Sequence, residues 1–368
     1  MSALGDIRVL DFSRVLAGPF ATMMLGDLGA TVTKIERAGT GDDTRSWGPP
    51  FAADGEATYF LSVNRNKDTV VLDFADAADL QRARRLALDA DVLVENFTPG
   101  VMERLGLGYE LLRVDNPRLI YCSITGFGSG AGAAIPGYDL LAQAVGGLMS
   151  ITGDPDGPPQ KVGVAVVDVL TGLFASVGAL AALHSRDATG RGQRVEVDLL
   201  SCLLAALVNQ GSAYTAGGVV PARMGNHHPS ITPYELFRGS EGELVVAVGT
   251  DQQFAALCEL LGAFGLASDE RFAHNPARVE HREELHERLQ ALFADRPAAG
   301  WVDSLLAVRV PAGLVNDVAG AFALAERLGL APIVEIPRPD GAAVRVTRNP
   351  IALSETPPEY RSPPPRLG

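Results

Sequence analysis

The stretch IRVLDFSRVLAGPFATMMLGDLGATVTKIE, residues 7–36, decides the fold. Ile7–Phe12 has the apolar character of a short strand, Pro19–Leu28 opens as a helix on Gly18-Pro19, and Thr31–Glu36 reads as a second strand. The pattern continues outward from this unit. Thr69–Asp73, Val92–Asn96 and Leu119–Ile124 are further runs rich in β-branched residues, and Ala78–Ala90 has helical spacing between two of them. Strands alternating with helices predict an α/β fold with a doubly wound parallel sheet covered on both faces. Helices are expected at Asp139–Met149 and at about Ala165–His184. Gly190–Gly192 should turn into a strand at Arg194–Val197, with a long apolar helix after it to about Asn209.

The texture changes at Gly217–His228, rich in glycine, proline and histidine. Beyond it, Leu244–Val248 reads as a strand, and Gln252–Leu261, Arg278–Phe293 and Ala299–Ala307 as amphipathic helices. Strand signals return at Ile333–Ile336 and Val344–Val346, and the proline-rich tail, Pro357–Gly368, reads as extended. The predicted organisation is a large α/β domain over 1–215, rejoined by 326–368, with a linker at 216–225 and a smaller α+β domain at 226–325. Internal repeats are not evident.

Composition narrows the function. The 368 residues are 47% hydrophobic and 20% charged, enough for large buried cores. A net charge of −13 argues against a nucleic-acid partner, because phosphate binding needs a basic footprint. Cys122, Cys202 and Cys258 lie far apart and suggest neither disulfides nor a zinc site, so a reducing cytoplasm is the expected location. The N-terminus lacks the pattern of a secretory signal. Val162–Leu183 holds a single charge over 22 residues, long enough to span a bilayer. Its aspartate and glycines favour a buried core helix, and no membrane partner is expected.

Four groups of residues carry chemistry. Asp168 stands alone among Val164, Val166, Val167, Val169, Leu170 and Leu173, where a carboxylate is costly unless something pairs with it or uses it. Its place in the first helical turn would let the positive helix end stabilise the anion. A helix cap is the plainer reading. Ser13–Pro19, with Arg14, Val15, Leu16 and Ala17, joins the first strand to the first helix at the ligand edge of such a sheet, with helix N-terminal amides suited to an anion or oxyanion. It lacks the GxGxxG pattern, so a nicotinamide cofactor is not expected. Arg37, Arg45, Lys67, Asn96, Phe97 and Arg104 form a basic and aromatic set fit for phosphates and a base, although each alone reads more readily as solvated surface. Gly225, Asn226, His227 and His228 read as a lid loop; adjacent histidines point apart, and no metal is expected there.

Several blocks together resemble the family III CoA-transferases. They are residues 9–50 (VLDFSRVLAGPFATMMLGDLGATVTKIERAGTGDDTRSWGPP), SVNRNKDTVVLDF, VENFTPGVMERLGLGYE, YCSITGFG, PGYDLLAQAVGGLMSITG and VAVVDVLTGLFASVGALAAL. MGNHHPSITPYELF and VGTDQQFAALCELLG are most similar to the succinate–hydroxymethylglutarate (glutarate) CoA-transferase branch. The resemblance implies that Asp168 is the catalytic aspartate and that Val15 to Ala17 line the acyl pocket. It implies that Arg37, Asn96, Phe97, Arg104 and Tyr138 touch CoA, with Lys67 approaching it, and that two chains form an interlocked homodimer. The implied reaction moves CoA from an acyl-CoA donor, succinyl-CoA, to a small carboxylic acid such as glutarate through an aspartyl-acyl anhydride and an aspartyl-CoA thioester.

Two departures stand out. Leu16 occupies the position where formyl-CoA transferase has glutamine, and the chain stops at PPPRLG where relatives continue, an expected shortening of the C-terminus. The racemases of the same family are the main alternative, but they use a histidine where this chain has Tyr138, and tyrosine, with a pKa near ~10, is a poor base at neutral pH. A CoA-binding protein without catalysis is the remaining alternative.

Overall fold

The computed structural model describes residues 2–339 and 341–367. They fall into two compact units, one drawn from Met1–Leu148, Lys161–Val220 and Ala331–Gly368, the other from Met149–Gln160 and Pro221–Leu330.

The first unit is built on six parallel strands: β1 (Arg8–Asp11), β2 (Thr31–Arg37), β3 (Lys67–Leu72), β4 (Val92–Glu95), β5 (Ile120–Thr125) and β6 (Arg194–Asp198). Their order across the sheet is β3-β2-β1-β4-β5-β6. The chain therefore starts in the middle, winds outward one way to β3, and returns to β4 to wind the other way. Its main helices are α1 (Ala17–Asp27), α2 (Ala77–Asp89), α3 (Tyr109–Asp115), α4 (Asp139–Val145), α5 (Val166–Thr189) and α6 (Leu199–Ala206). Strand side chains alternate between the two faces, as a period of two requires. Val9, Val32, Val94 and Ile124 pack with Ala21 and Leu25 of α1 and Ala175 and Ala179 of α5. Leu10, Leu93 and Tyr121 face the other way, against Ala83 and Ala87 of α2 and Leu112 of α3.

Glycine sets where the helices end and how closely they pack. The helix expected over Asp139–Met149 breaks at Gly146-Gly147, with Gly147 at φ +87°. Gly172 of α5 lies so near α1 that an added Cβ would sit 2.6 Å from the Ala17 carbonyl oxygen. A side chain there would force the two helices apart.

Helix α5 is long and apolar enough to cross a membrane by length and composition. One side, through Ala175, Ala179, Ala182 and Leu183, is buried on the sheet. The opposite side leaves Phe174 and Val177 exposed, at 43% and 63%. The expectation of a buried core helix therefore holds on one side only.

Beneath the loop after β1 lies a charged network with no access to water. Asp11 accepts hydrogen bonds from the Ser13 amide and hydroxyl, from Thr22 Oγ1 at 2.6 Å and from Lys67 Nζ at 3.0 Å. Lys67 also donates to the Pro19 carbonyl and to Asn64 Oδ1, at 2.9 and 3.0 Å. Lys34 Nζ bridges the Ser13 carbonyl and Asp42, each at 2.9 Å. Burial alone would raise the Asp11 pKa, but Lys67, Lys34 and the two hydroxyls hold it at about 2. The expectation that Lys67 approaches the cofactor is thereby corrected. Its ammonium is 1% exposed and its three protons are all committed to holding the loop.

The second unit has an antiparallel sheet of β7 (Tyr234–Arg238), β8 (Glu243–Ala247) and β9 (Ala312–Leu314) in that order. Helices α7 (Asp251–Leu260), α8 (Arg282–Phe293) and α9 (Ala298–Ala307) cover it. Its core joins Phe237, Leu244 and Val246 to Leu257, Leu289, Phe293 and Trp301. The helix expected over Arg278–Phe293 divides at His281, leaving Asn275–Glu280 as a separate turn of helix before α8. Residues 149–160, expected with the large domain, belong here. The Gly225 amide donates to Gly153 O at 3.0 Å, and Arg223 Nε donates to Asp154 O at 3.1 Å. The hairpin of β10 (Ile333–Pro337) and β11 (Ala343–Thr347) belongs to the first unit, where Ile336 and Val344 pack on Leu61.

Removing one partner of a buried ion pair strands the other. Lys67→Met should therefore lower unfolding free energy by about 3–5 kcal/mol, measured by chemical denaturation. A variant as stable as the wild type would return Lys67 to the ligand-binding set.

Candidate active site

A cleft of about 410 Å³ opens in the first unit at the carboxyl ends of β1, β4 and β5. Strand order reverses between β1 and β4, and the crevice outside such a reversal is where open parallel sheets bind ligands. The loop after β1 supplies Arg14, Val15, Leu16 and Ala17, and the loop after β4 supplies Asn96 and Phe97. Thr125 ends β5 and Gly126–Gly128 follow it, while Tyr138 and Asp168 close another wall.

The first loop is held in an unusual shape. Val15 has φ +68°, a conformation that a β-branched residue adopts only when its surroundings enforce it. The enforcement is visible. Asn96 accepts from the Arg14 amide at 2.9 Å and donates back to the Arg14 carbonyl at 2.8 Å, while Asp42 Oδ1 accepts from the Val15 amide at 3.4 Å. Asn96 was expected to touch CoA. It lines the cleft, but its side-chain amide is engaged on both ends with the loop.

Arg14 is half-buried, with its guanidinium carbon 4.7 Å from the centre of the Phe97 ring. Among the described residues none accepts a hydrogen bond from that guanidinium, so its donors face the cleft side uncommitted. Burial, and then the charge of Arg37, lower its pKa. Arg37 and Arg104 are exposed, and Arg104 Nη1 lies near Gly100, just past the Phe97 loop. Neither is among the residues lining the cleft itself. The basic and aromatic set thus separates into Asn96 and Phe97 at the cleft beside Arg14 of the first loop, Arg37 and Arg104 on the surface, and Lys67 beneath the loop. Arg45 also turns inward, with Glu36 at 2.7 Å and its guanidinium 3.7 Å from the Phe60 ring centre.

Asp168 is the third residue of α5, and its surroundings differ from the expectation. The amides of Val167 and Asp168, free donors at a helix start, are both taken by Asp139 Oδ1, at 2.8 and 3.2 Å. Gln143 donates to the other oxygen of Asp139 at 2.6 Å. The helix end is therefore already neutralised by Asp139 and does not stabilise the Asp168 anion. Burial, joined by the charge of Asp139, pushes the Asp168 pKa up to about 7. Among the described residues no side chain donates to its carboxylate. A half-buried carboxylate without a partner at the edge of a cleft has the chemistry to act as a nucleophile.

Sequence reasoning missed two residues of this arrangement. Asp139 looks like an ordinary acidic start to α4, but its carboxylate caps a different helix. Tyr59 carried no signal at all. Burial, and then Asp168 and Asp139, raise its pKa to about 12, so it stays a neutral phenol within the field of Asp168.

The CoA-transferase family III profile matches residues 4–368. The chain belongs to this family. It is 43% identical to a succinate–glutarate CoA-transferase of Agrobacterium fabrum, over 99% of this chain and 93% of that one. It is 40% identical to an acetyl-CoA:oxalate CoA-transferase of Acetobacter aceti, over 95% of this chain and 88% of that one. The crystal structure of a CAIB/BAIF family protein from Brucella suis superimposes with a TM-score of 0.89 at 42% identity, covering 100% of this chain and 96% of that chain. The protein is thus a family III CoA-transferase, an enzyme that takes acyl-CoA and a carboxylic acid as substrates, and the family indicates neither a metal nor a nicotinamide cofactor.

For a family III enzyme the raised Asp168 pKa has a kinetic consequence. If the ionised carboxylate attacks, single-turnover acylation should rise with pH through about 7. Asp139→Asn keeps an oxygen to cap α5 but removes the neighbouring charge, so the rising limb should move to lower pH. Stopped-flow acylation across pH checks this, and an unmoved limb would remove Asp139 from the electrostatics of the site.

Proposed function

We propose that this enzyme transfers CoA from succinyl-CoA to glutarate or a related dicarboxylate, with Asp168 as the nucleophile. The observation that carries the reading is a half-buried, unpaired carboxylate, its pKa pushed up to about 7, in a cleft at the strand-order reversal of a family III chain.

The Asp168 carboxylate attacks the thioester carbonyl of succinyl-CoA, forming an aspartyl-succinyl anhydride and releasing CoA thiolate. The thiolate attacks the aspartyl carbonyl, leaving aspartyl-CoA thioester and free succinate. The acceptor carboxylate then attacks the aspartyl thioester, and the released thiolate attacks the acceptor carbonyl of the new anhydride. Acyl-CoA of the acceptor leaves, and the Asp168 carboxylate is restored. One thioester replaces another, so the exchange is nearly balanced and consumes no other energy source. The apolar residues beside Asp168, among them Val167 and Leu199, keep water from the anhydride. Backbone amides at the start of α1 lie beside the cleft through Ala17, placed to stabilise the developing oxyanion.

The nucleotide end of CoA is assigned to Phe97, Tyr138 and the exposed Arg37 and Arg104. Arg14 is assigned to the distal carboxylate of the dicarboxylate, which a buried pocket must meet with a cation or several donors. Its uncommitted guanidinium, stacked on Phe97, supports this. The relatives named above for glutarate and oxalate support a dicarboxylate acceptor. The racemase alternative lacks support here, since the described residues lining the cleft include Tyr138 but no histidine. An interlocked homodimer is part of the reading. Phe174 and Val177 of α5 and Leu204 of α6 are exposed apolar residues that a second chain would cover. The three buried free cysteines accord with a cytoplasmic setting.

The reading is tested directly. Asp168→Ala should abolish transfer while CoA binding persists, and borohydride added to wild type with succinyl-CoA should reduce a thioester at Asp168. Turnover by the alanine variant at the wild-type rate would end the mechanism. Sedimentation should give a dimer.

A second measurement addresses the acid. Arg14→Met should raise KM for glutarate far more than KM for butyrate, by roughly tenfold if one charge-assisted hydrogen-bonded contact of about 1.4 kcal/mol is lost. Equal use of butyrate and glutarate by the unmodified enzyme would remove the dicarboxylate assignment and leave the family-level activity standing.

A further inference from the structure

The second unit holds a cluster that the transfer chemistry does not use. Glu235 on β7 is 1% exposed, an uncommon position for a carboxylate. Its Oε2 lies 2.9 Å from His227 Nδ1 and 2.5 Å from His286 Nδ1. Its other oxygen, Oε1, is buried and has no hydrogen-bond partner. The three residues come from three different elements: His227 from the loop before β7, Glu235 from the strand and His286 from α8. Their candidate ligand atoms lie within 4.8 Å of one another.

The surroundings hold these side chains in place. The two imidazole rings meet edge to face, with centroids 5.4 Å apart, and Phe237 stacks on His286 at 5.2 Å. Arg282 donates to the carbonyls of His228 and Pro229 at 3.1 and 3.0 Å, which anchors the loop beside His227. The His227 and His286 side chains are 24% and 28% exposed, so water and ions can reach the cluster from one side.

Hydrogen bonds within the trio leave a charge problem. Two neutral imidazoles can each donate an Nδ1 proton to Oε2, but the carboxylate remains anionic with its second oxygen dry. A divalent cation resolves both defects, taking lone pairs from two neutral imidazoles and both oxygens of the carboxylate. Two imidazoles and one carboxylate suit a borderline transition metal such as zinc, whereas magnesium and calcium prefer oxygen alone.

We propose that His227, Glu235 and His286 form a binding site for a divalent transition-metal ion of the zinc class, which pins the loop before β7 to the sheet and to α8. The ion is structural and takes no part in the chemistry of Asp168. The reading of His227 and His228 as a poor metal pair concerned those two alone. His228 is not a ligand, and the partners of His227 come from β7 and α8.

The test uses the full-length enzyme. After chelator treatment and dialysis, cobalt(II) is titrated into wild type and into His227→Gln, His286→Gln and, as a control, His274→Gln, an exposed histidine beside Asp251. Bound metal is counted by plasma emission, and coordination is read from visible d–d absorption. Wild type and His274→Gln should each take up one equivalent with a visible band and melt at a higher temperature with zinc than without. His227→Gln and His286→Gln should lose that equivalent, the band and the zinc-dependent shift. Wild type that takes up no cobalt overturns the proposal without reference to any variant. So do two variants that bind as much as wild type, or an NMR titration showing only a histidine–carboxylate pair unchanged by zinc.

Discussion

Asp11 is a buried anion at the end of the central strand, and the shape of the cleft depends on how it is neutralised. Burial of an unpaired carboxylate would be prohibitive, so two lysines converge beneath the loop that follows. Lys67 comes from β3 and Lys34 from β2, and their remaining protons go to the carbonyls of Pro19 and Ser13. The same charges that neutralise Asp11 therefore clamp both ends of the segment that carries Arg14 to Ala17. Val15 can persist in a left-handed conformation because the clamps and Asn96 leave the backbone no alternative. The network is structural in its contacts and functional in its result.

Asp168, the proposed nucleophile, is shaped by a second pairing of charges, this time of like sign. Asp139 takes the free amides at the start of α5, a role in which a carboxylate is strongly favoured. Having taken them, it places a negative charge beside Asp168 and denies that residue the helix dipole. One interaction thus stabilises the helix and raises the energy of the ionised nucleophile. Gly172 completes the arrangement by letting α5 approach the N-terminal turn of α1, which carries the pocket loop. Neither effect needs a group that enters the reaction.

The second unit repeats the theme of a buried carboxylate, with a different answer. Among the described residues Glu235 forms no ion pair with a lysine or arginine; it is faced by two imidazoles, which balance its charge only when protonated or when joined by a cation. Among the buried acids of this chain, Asp11 and Asp27 are paired with a lysine and an arginine, at 3.0 Å to Lys67 and 2.5 Å to Arg65. Glu95, also buried, has each oxygen bonded, to the Ser123 hydroxyl and to the Phe97 amide, whereas one oxygen of Glu235 has no partner among the described residues.

The sequence by itself determined the sheet. The strand runs at residues 7–12, 31–36, 69–73, 92–96 and 119–124 each fall on an observed strand to within two residues, because a doubly covered parallel sheet requires uninterrupted apolar runs. It also singled out Asp168 and the loop of Arg14 to Ala17, since a lone charge in an apolar helix and a strand-to-helix turn are both local features. Breaks at Gly146-Gly147 and His281 were less legible, because helical periodicity continues through them. What only the tertiary structure decided is where each charge finds its partner. Lys67 reads as a phosphate ligand until its protons are seen on Asp11, Pro19 and Asn64. Asp139 reads only as the first residue of a helix until it is seen on α5, and His227 reads as half of a poor pair until Glu235 and His286 arrive beside it. Burial and periodicity are written in neighbouring residues, whereas electrostatic pairing joins residues remote along the chain and appears only when folding brings them within hydrogen-bond reach.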